Sequence, residues 1–492
     1  MEYDTIVIGA GVIGPCIATA FARQGRKVLI VERDWSKPDR IVGELMQPAG
    51  IKALRELGMV KAVNNIEAIE CTGYYIQYFN HSLSIDYPLK EVAQVTNPMK
   101  PIHNVANAEN EKLESDTTLD MKAWDEDERV RGVAFHHGDF LQNLRAICKN
   151  EPNVTAVEAT VTEILRDQDD PDTVIGVRAK SKQDGVVNYN GKLVISCDGI
   201  YSKFRKELSP DNVPVIGSHF VGLYLKNAKL PANNKGHVLL GKHAPVLIYR
   251  VSPTETRVLC AFRSAKAPSA ANDEIYKTLK NEVLPAIPKE TVPSFVEALE
   301  ERKFRVMPNQ YLSAMKQGKQ NGFILLGDSL NMRHPLTGGG MTVGLNDAVL
   351  LAKLLNPHNV EDFSDHQLIN EKMSIFHRKR KNLDAVINTL SIALYSLFAA
   401  DKNALQILQM GCFEYFKRGG ECVSGPIGLL SGMLPFPMLL FNHFFSVAFY
   451  SIYVNFKRRG LVEFPIALWE AFDVLFTAVA IFTPYLWAEV VR

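Results

Sequence analysis

The chain has 492 residues, 47% of them hydrophobic and 22% charged, with 55 basic side chains against 54 acidic ones. That length supports two or three domains with cores of their own, and the lack of a basic excess argues against a nucleic-acid partner. The seven cysteines are an odd number without a CxxC pair, which points to a reducing compartment and gives no zinc-ligand spacing.

The first residues, MEYDTIVIGAGVIG, run directly into a strand with no basic n-region or cleavage site, so neither a secretory signal nor an N-terminal anchor is expected. TIVIGA, a helical stretch through Ala22, and KVLIVER make a βαβ unit of roughly 30 residues, the start of a doubly wound sheet. Gly9, Gly11 and Gly14 supply its GxGxxG turn: a tight bend, close approach of backbone N–H groups to a pyrophosphate, and close helix–strand packing. The anion then sits at the positive end of the helix. Glu32, closing the second strand, is spaced to accept from a ribose hydroxyl. The unit specifies a dinucleotide but leaves NAD and FAD open.

Residues 109–128 carry nine acidic and two basic side chains, the composition of a solvated surface insertion. Strand-like segments return over 151–197. From 217 to 263, β-rich runs with Gly and Pro between them predict a mostly antiparallel sheet in a separate substrate domain. GFILLGD at 322–328 predicts a buried strand returning to the first domain, and beyond about 345 the chain reads as helical.

Two later motifs carry chemistry. VISCDGIYSKFR at 194–205 ends a buried strand on Asp198-Gly199, with Ser202 and Arg205 close behind; its plain structural alternative is an Asp-capped strand–turn. FILLGD ends on Asp328, placed for polyol or ribose hydroxyls, and Pro335 with Gly338, Gly339 and Gly340 predicts a turn into a helix starting near Met341. Backbone N–H groups there would face a planar electron-accepting ring, where the helix dipole stabilises negative charge, as a reduced flavin requires.

Near the C-terminus two apolar stretches, 427–454 and 464–487, flank the basic turn KRRG at 457–460. Either is long enough for a bilayer, which takes about 20 residues. Pro435, Pro437, Asn442 and His443 interrupt the first, and Glu470 and Asp473 the second. Carboxylates at a bilayer centre are costly, and two full spans would set the basic turn and the body of the chain on opposite sides, so that the positive-inside tendency would put the body in the lumen. A helical hairpin held in one leaflet avoids this and lets the charged groups reach the headgroups; the plain alternative is a buried helical pair in a soluble core.

The order GxGxxG, Asp-Gly, Gly-Asp resembles the FAD-dependent monooxygenases of the aromatic-hydroxylase superfamily. VERDWSKPDRIVGELMQP (31–48), RGVAFHHGDFLQNLR (131–145), MRHPLTGGGMTVGLND (332–347), LYSLFAA (394–400) and GCFEYFKRGG (411–420) narrow this to a resemblance to the squalene monooxygenases, or squalene epoxidases, especially the fungal ones. It covers essentially the whole chain.

The resemblance implies an α/β fold with a Rossmann-like FAD-binding domain (1–90, 131–210, 321–356) and an acidic surface insertion (91–130). A mostly antiparallel β substrate domain (211–320), a helical region (357–424) and a membrane-anchoring hydrophobic hairpin (425–492) complete it. It implies that Val12 and Ile13 lie against FAD, that Glu32 and Arg33 hold the adenosine ribose region, and that Arg40 and Arg145 reach the phosphate and polyol. Val161 would meet the adenine through its backbone; Asp198, Asp328, Pro335, the glycine triplet and Met341 complete the cofactor site. Tyr74, hydrogen-bonded to Gln47, matches the tyrosine implicated in catalysis. One departure is Asp139 of HHGDF, where many relatives carry Arg.

The implied reaction is epoxidation of squalene to (S)-2,3-epoxysqualene with O2, through a flavin hydroperoxide, in ergosterol synthesis. FAD carries the chemistry, and the protein must supply a dry apolar tunnel. NADPH provides the electrons through NADPH–cytochrome P450 reductase. The implied location is the endoplasmic reticulum membrane, with the body on the cytosolic face, and lipid droplets as a further site. Two other readings use the same scaffold: a geranylgeranyl-reductase-like flavoprotein, and a non-enzymatic lipid-escort protein.

Overall fold

In the computed structural model, residues 2–91, 119, 124, 127–264, 266–269 and 273–491 are described; most of the acidic stretch 109–128 lies outside them. The described residues build two seven-stranded sheets and a small three-stranded one. In the first, Glu2–Ile8 runs parallel to Val28–Glu32 on one side and to the end of Gly185–Ser196 on the other. Val154–Glu158 continues it beside Val28–Glu32, and Phe323–Leu325 pairs in parallel with Gly185–Ser196. Thr160–Arg166 and Val174–Ser181 add two antiparallel strands. Ile6, Val7, Val28, Leu29, Ile30, Leu193 and Val194 are fully buried. Their continuous apolar runs reflect parallel strands covered on both faces, and each such burial contributes about 1.5–3 kcal/mol.

The second sheet contains Val215–Lys226, Lys235–Leu240, Val246–Arg250, Glu255–Phe262 and Arg305–Tyr311, all expected in the substrate domain. It also takes Gly73–Tyr78 and His81–Asp86, two strands expected in the first domain. Gly73–Tyr78 pairs in parallel with Lys235–Leu240, so the sheet is antiparallel except at that junction. Tyr74 and Ile76 are buried on one face of their strand, in the same apolar cluster as Phe220 and Val238. Burial of that face joins the strand to the second sheet.

The C-terminal third is helical: His366–Ala399, Asn403–Lys417, Glu421–Leu430, Pro437–Arg459 and Phe464–Val491. The expected single segment 427–454 is therefore two helices. Pro435 lies in the break and Pro437 occupies the first turn of the next helix, where its missing N–H costs nothing. His366–Ala399, Pro437–Arg459 and Phe464–Tyr485 are long and apolar enough to cross a membrane; the first is largely buried and the other two largely exposed. Glu470 does not reach outward as the sequence suggested. It is 5% exposed and accepts from Asn403, Asn455 and Arg459, so the carboxylate is paired inside the helical body. Asp473 is exposed.

Candidate active site

The GxGxxG turn joins the first strand to the helix Ile13–Arg23. Gly9 has φ +94°, and a Cβ there would stand 2.7 Å from the Cys197 carbonyl oxygen; a Cβ on Gly14 would stand 1.9 Å from the Gly9 carbonyl oxygen. These two glycines are fixed by packing. Gly11 differs: nothing lies within 4 Å of its Cβ position, so its backbone faces open space. Glu32 accepts from the backbone N–H of Ala10 at 2.6 Å and of Asp34 at 3.1 Å. Arg145, buried, donates from Nε to the Ala10 carbonyl at 2.9 Å and from Nη1 to the Ser36 carbonyl at 2.9 Å. Arg145 thus braces the turn. Arg33 and Arg40 are exposed, and Val161 is half-buried at the start of its strand. Asp139, the departure from the family pattern, pairs with Lys37 at 2.6 Å.

The two later turns meet the first. Ser196 Oγ donates to Asp198 at 2.6 Å, and Ser202, rather than Asp198, caps the following short helix by accepting from the Arg205 N–H. Arg205, 1% exposed, donates to the carbonyls of Ile200 (2.7 Å), Asp328 (3.3 Å) and Ser329 (3.4 Å). This side chain, to which the sequence motif assigns no role, ties the Asp-Gly turn to the Gly-Asp turn. Asp328 is closely surrounded by protein, yet its side chain is exposed. Burial raises its carboxyl above the usual range, opposed by the charges of Arg333, Arg40 and Arg205. Ile13 packs between Gly327 and Gly344: Cβ atoms there would stand 3.1 and 2.7 Å from it.

The glycine triplet divides its work. Gly338, at φ +62°, ends the turn Pro335–Thr337 and starts the helix Gly339–Leu354, two residues before the expected start at Met341. A Cβ on Gly339 would stand 2.3 Å from Ile387 Cγ2, so this glycine permits close helix packing. Gly340 alone has an open Cβ position. Met341 is buried. Arg333 donates to the Asn331 carbonyl and side chain at 3.0 and 2.6 Å, and Arg380 forms a buried pair with Asp347 at 2.7 Å beneath the loop. His334 accepts from the Leu336 N–H, bonds to Ser218 and stacks on Tyr395, with centroids 4.1 Å apart. Neither this histidine nor the Arg380–Asp347 pair was singled out from sequence; each sits inside or against a matching motif without a pattern of its own.

Gln47 joins this loop to Tyr74: its Nε2 donates to Tyr74 Oη at 2.7 Å and to the Thr337 carbonyl at 2.8 Å. Tyr75 and Tyr78 point elsewhere, toward His237 and Phe413.

The open backbone at Gly11 and at Gly340, with Asp328 exposed inside the fold, suits a dinucleotide carrying a planar ring. The fold is that of flavin-dependent monooxygenases. p-Nitrophenol 4-monooxygenase PnpA from Pseudomonas putida superposes with a TM-score of 0.64 at 14% identity, over 88% of this chain and 99% of that one. The flavin-dependent brominase Bmp2 gives 0.65 at 13%, over 92% and 99%.

Residues 4–309 match the FAD dependent oxidoreductase family and residues 190–469 the squalene epoxidase family. The chain is 76% identical to squalene epoxidase ERG1 of Candida albicans over 100% of this chain and 99% of that one, and 51% identical to squalene epoxidase ERG1 of Saccharomyces cerevisiae over 100% and 97%. Squalene monooxygenase of Mus musculus is 37% identical over 99% of this chain and 78% of that one. The chain belongs to the squalene epoxidase family.

Proposed function

We infer that the chain is an FAD-dependent monooxygenase that epoxidises squalene in sterol biosynthesis, using O2 and electrons from NADPH. The observation that carries this reading is the open backbone at Gly11 and at Gly340, with Asp328 exposed on a turn that Arg205 ties to the Asp-Gly turn, in a chain 76% identical to a squalene epoxidase along its length. FAD, once reduced, supplies the activated oxygen.

The chain's own residues bind, orient and keep the site dry. In the proposed arrangement Gly9, Gly11, Val12, Ile13 and Gly14 seat the pyrophosphate, and Glu32 and Arg33 hold the adenosine ribose. Val161 borders the adenine. Arg40 and Arg145 serve the phosphates, while Asp198 and Asp328 take the polyol. Pro335, Gly338, Gly339, Gly340 and Met341 shape the ring end, with Gly340 presenting bare backbone to it. Tyr74, held by Gln47, offers its hydroxyl at the reacting end. The second sheet and the Tyr74–Tyr87–Phe220 cluster form an apolar wall that limits water.

NADPH–cytochrome P450 reductase is the proposed electron source, consistent with a single GxGxxG turn in the sequence. The hairpin is the proposed lipid contact. Pro437–Arg459 packs along Asn403–Lys417 while Phe449, Tyr453, Trp469, Phe472 and Phe476 stay exposed, an arrangement suited to one leaflet. The endoplasmic reticulum membrane with a cytosolic body, and lipid droplets besides, fit that attachment.

The test is incubation with squalene, NADPH, reductase and O2, with products identified by mass spectrometry. 2,3-Epoxysqualene carrying one atom from labelled O2 is expected. Unchanged squalene, or a hydrogenated product formed without oxygen, would overturn the reading.

A further inference from the structure

Gln47 is completely buried, and three groups converge on its amide. Its Nε2 serves Tyr74 Oη and the Thr337 carbonyl, while its Oε1 accepts from Tyr87 Oη at 2.7 Å. A backbone carbonyl can only accept, so Thr337 fixes which end of the amide is nitrogen. The oxygen must then face Tyr87, and the O–H of that phenol is the donor that satisfies it. Tyr87 is itself fully buried, and its ring meets Tyr74 edge-on with centroids 5.7 Å apart. Burial pushes both phenols above their ordinary range, so both keep their protons at neutral pH. Tyr74 accepts from Gln47, which leaves its own proton outside that bond.

We propose that Tyr87 is a positioning residue for the epoxidation: its hydroxyl locks the Gln47 amide in the orientation that leaves Tyr74 a hydrogen-bond donor beside the Thr337–Gly340 loop. This rests on the reading that Tyr74 acts at the reacting end of the site. Without the Tyr87 hydroxyl, Gln47 Oε1 becomes a buried acceptor with no donor, which is costly. Rotating the amide would let that oxygen accept from Tyr74 instead. The rotation consumes the Tyr74 proton and sets the Gln47 oxygen against the Thr337 carbonyl, next to the turn that ends at Gly338. Tyr87 lies just beyond the strand His81–Asp86, in no motif of its own.

The experiment compares Tyr87→Phe, Tyr74→Phe and the double variant in the full-length, FAD-loaded protein. It measures epoxide formed and hydrogen peroxide released per NADPH consumed. Tyr87→Phe keeps the ring and nearly all its volume. Its expected effect is a loss of epoxide yield on the order of tenfold, the scale of one well-made buried hydrogen bond, with FAD loading and the KM for squalene unchanged. The double variant should be no worse than Tyr74→Phe alone, because both changes act through one proton. Wild-type yield in Tyr87→Phe alongside an impaired Tyr74→Phe overturns the proposal. Losses that multiply overturn it as well, and so does a Tyr87→Phe protein that cannot hold FAD. Wild-type yield in Tyr74→Phe instead overturns the underlying role of Tyr74, so the two failures are told apart.

Discussion

Arg257 donates two hydrogen bonds to Glu44, at 2.7 and 2.8 Å, and both side chains are sealed from solvent. Tyr224 also donates to Glu44, at 2.9 Å, and its ring lies under the guanidinium at 3.4 Å. Glu44 stands three residues before Gln47, while Arg257 belongs to the second sheet, so the pair fastens the segment that carries Gln47 to the substrate domain. A buried carboxylate that loses its partner is costly. Arg257→Met is expected to lower stability by about 3–5 kcal/mol, and Glu44→Gln/Arg257→Met by clearly less, because no lone charge remains. Urea denaturation of the FAD-loaded protein measures both, and a single variant as stable as the parent would contradict the role of the pair.

Gly339 and Gly340 make adjacent substitutions with opposite signatures. Gly339→Ala drives a methyl group into Ile387 and should cost about 1–3 kcal/mol by overpacking, with relief in Gly339→Ala/Ile387→Ala. Gly340→Ala meets no protein atom and, inside a helix, should stabilise the fold by up to about 1 kcal/mol. Its methyl group instead enters the open space proposed for the flavin ring, so FAD affinity should fall by on the order of tenfold, about 1.4 kcal/mol. Flavin absorbance after gel filtration, read beside the melting temperature, separates the two effects. A Gly340→Ala protein that holds FAD like the parent would remove that residue from the ring site.

The local signals were legible where one interaction sets the conformation. The βαβ opening, the strand ending on Asp328 and the glycine turn at 338 each follow from backbone demands that few residues meet. What the triplet does could not be divided from sequence, because Gly339 answers to Ile387 and Gly340 to open space, and only the fold tells them apart. Gly73–Tyr78 was misplaced for a related reason: its parallel partner lies 162 residues away, and β-pairing at that range leaves no local trace. Glu470 read as a membrane blemish because its partners, Asn403, Asn455 and Arg459, come from two other helices and a turn of the chain that brings them together.

The outer face of the hairpin makes a membrane prediction that leaves the body intact. Trp469, Phe472 and Phe476 are 75%, 65% and 75% exposed, too apolar a surface to be explained by chance scatter of single residues. A deletion from residue 425 would also remove Ser431, whose carbonyl accepts from the Ala49 N–H, and Gly432, which packs on Ala49 and Thr342. Surface substitution is therefore the cleaner test. Trp469→Ser/Phe472→Ser/Phe476→Ser should lower partitioning onto lipid vesicles at least tenfold, since each lost side chain withdraws about 1.5–3 kcal/mol of apolar burial. FAD content should not change. Undiminished co-sedimentation with vesicles would place the lipid contact elsewhere.

His334 gives the fold an acid-sensitive point beside the glycine loop. It is 6% exposed, and burial lowers its pKa from the ordinary 6.5 to about 3. The unfolded chain therefore takes up a proton as pH falls through about 6.5, whereas the folded one does not until about 3. Across that window His334 makes stability fall with decreasing pH by up to about 1.4 kcal/mol per unit; above it the contribution is constant. His237, lowered to about 4 by burial, adds a second such proton in the second sheet. His334→Asn can keep the hydrogen bond from the Leu336 N–H while removing the titration. Its stability at pH 7.5 is expected to be lower, from the lost Tyr395 stacking and Ser218 bond, and the gap to the parent should narrow steadily as the pH is brought to 5. Denaturation midpoints at half-unit steps measure this directly, and a gap that stays constant over that range would show that His334 takes up its proton equally in the folded and the unfolded chain.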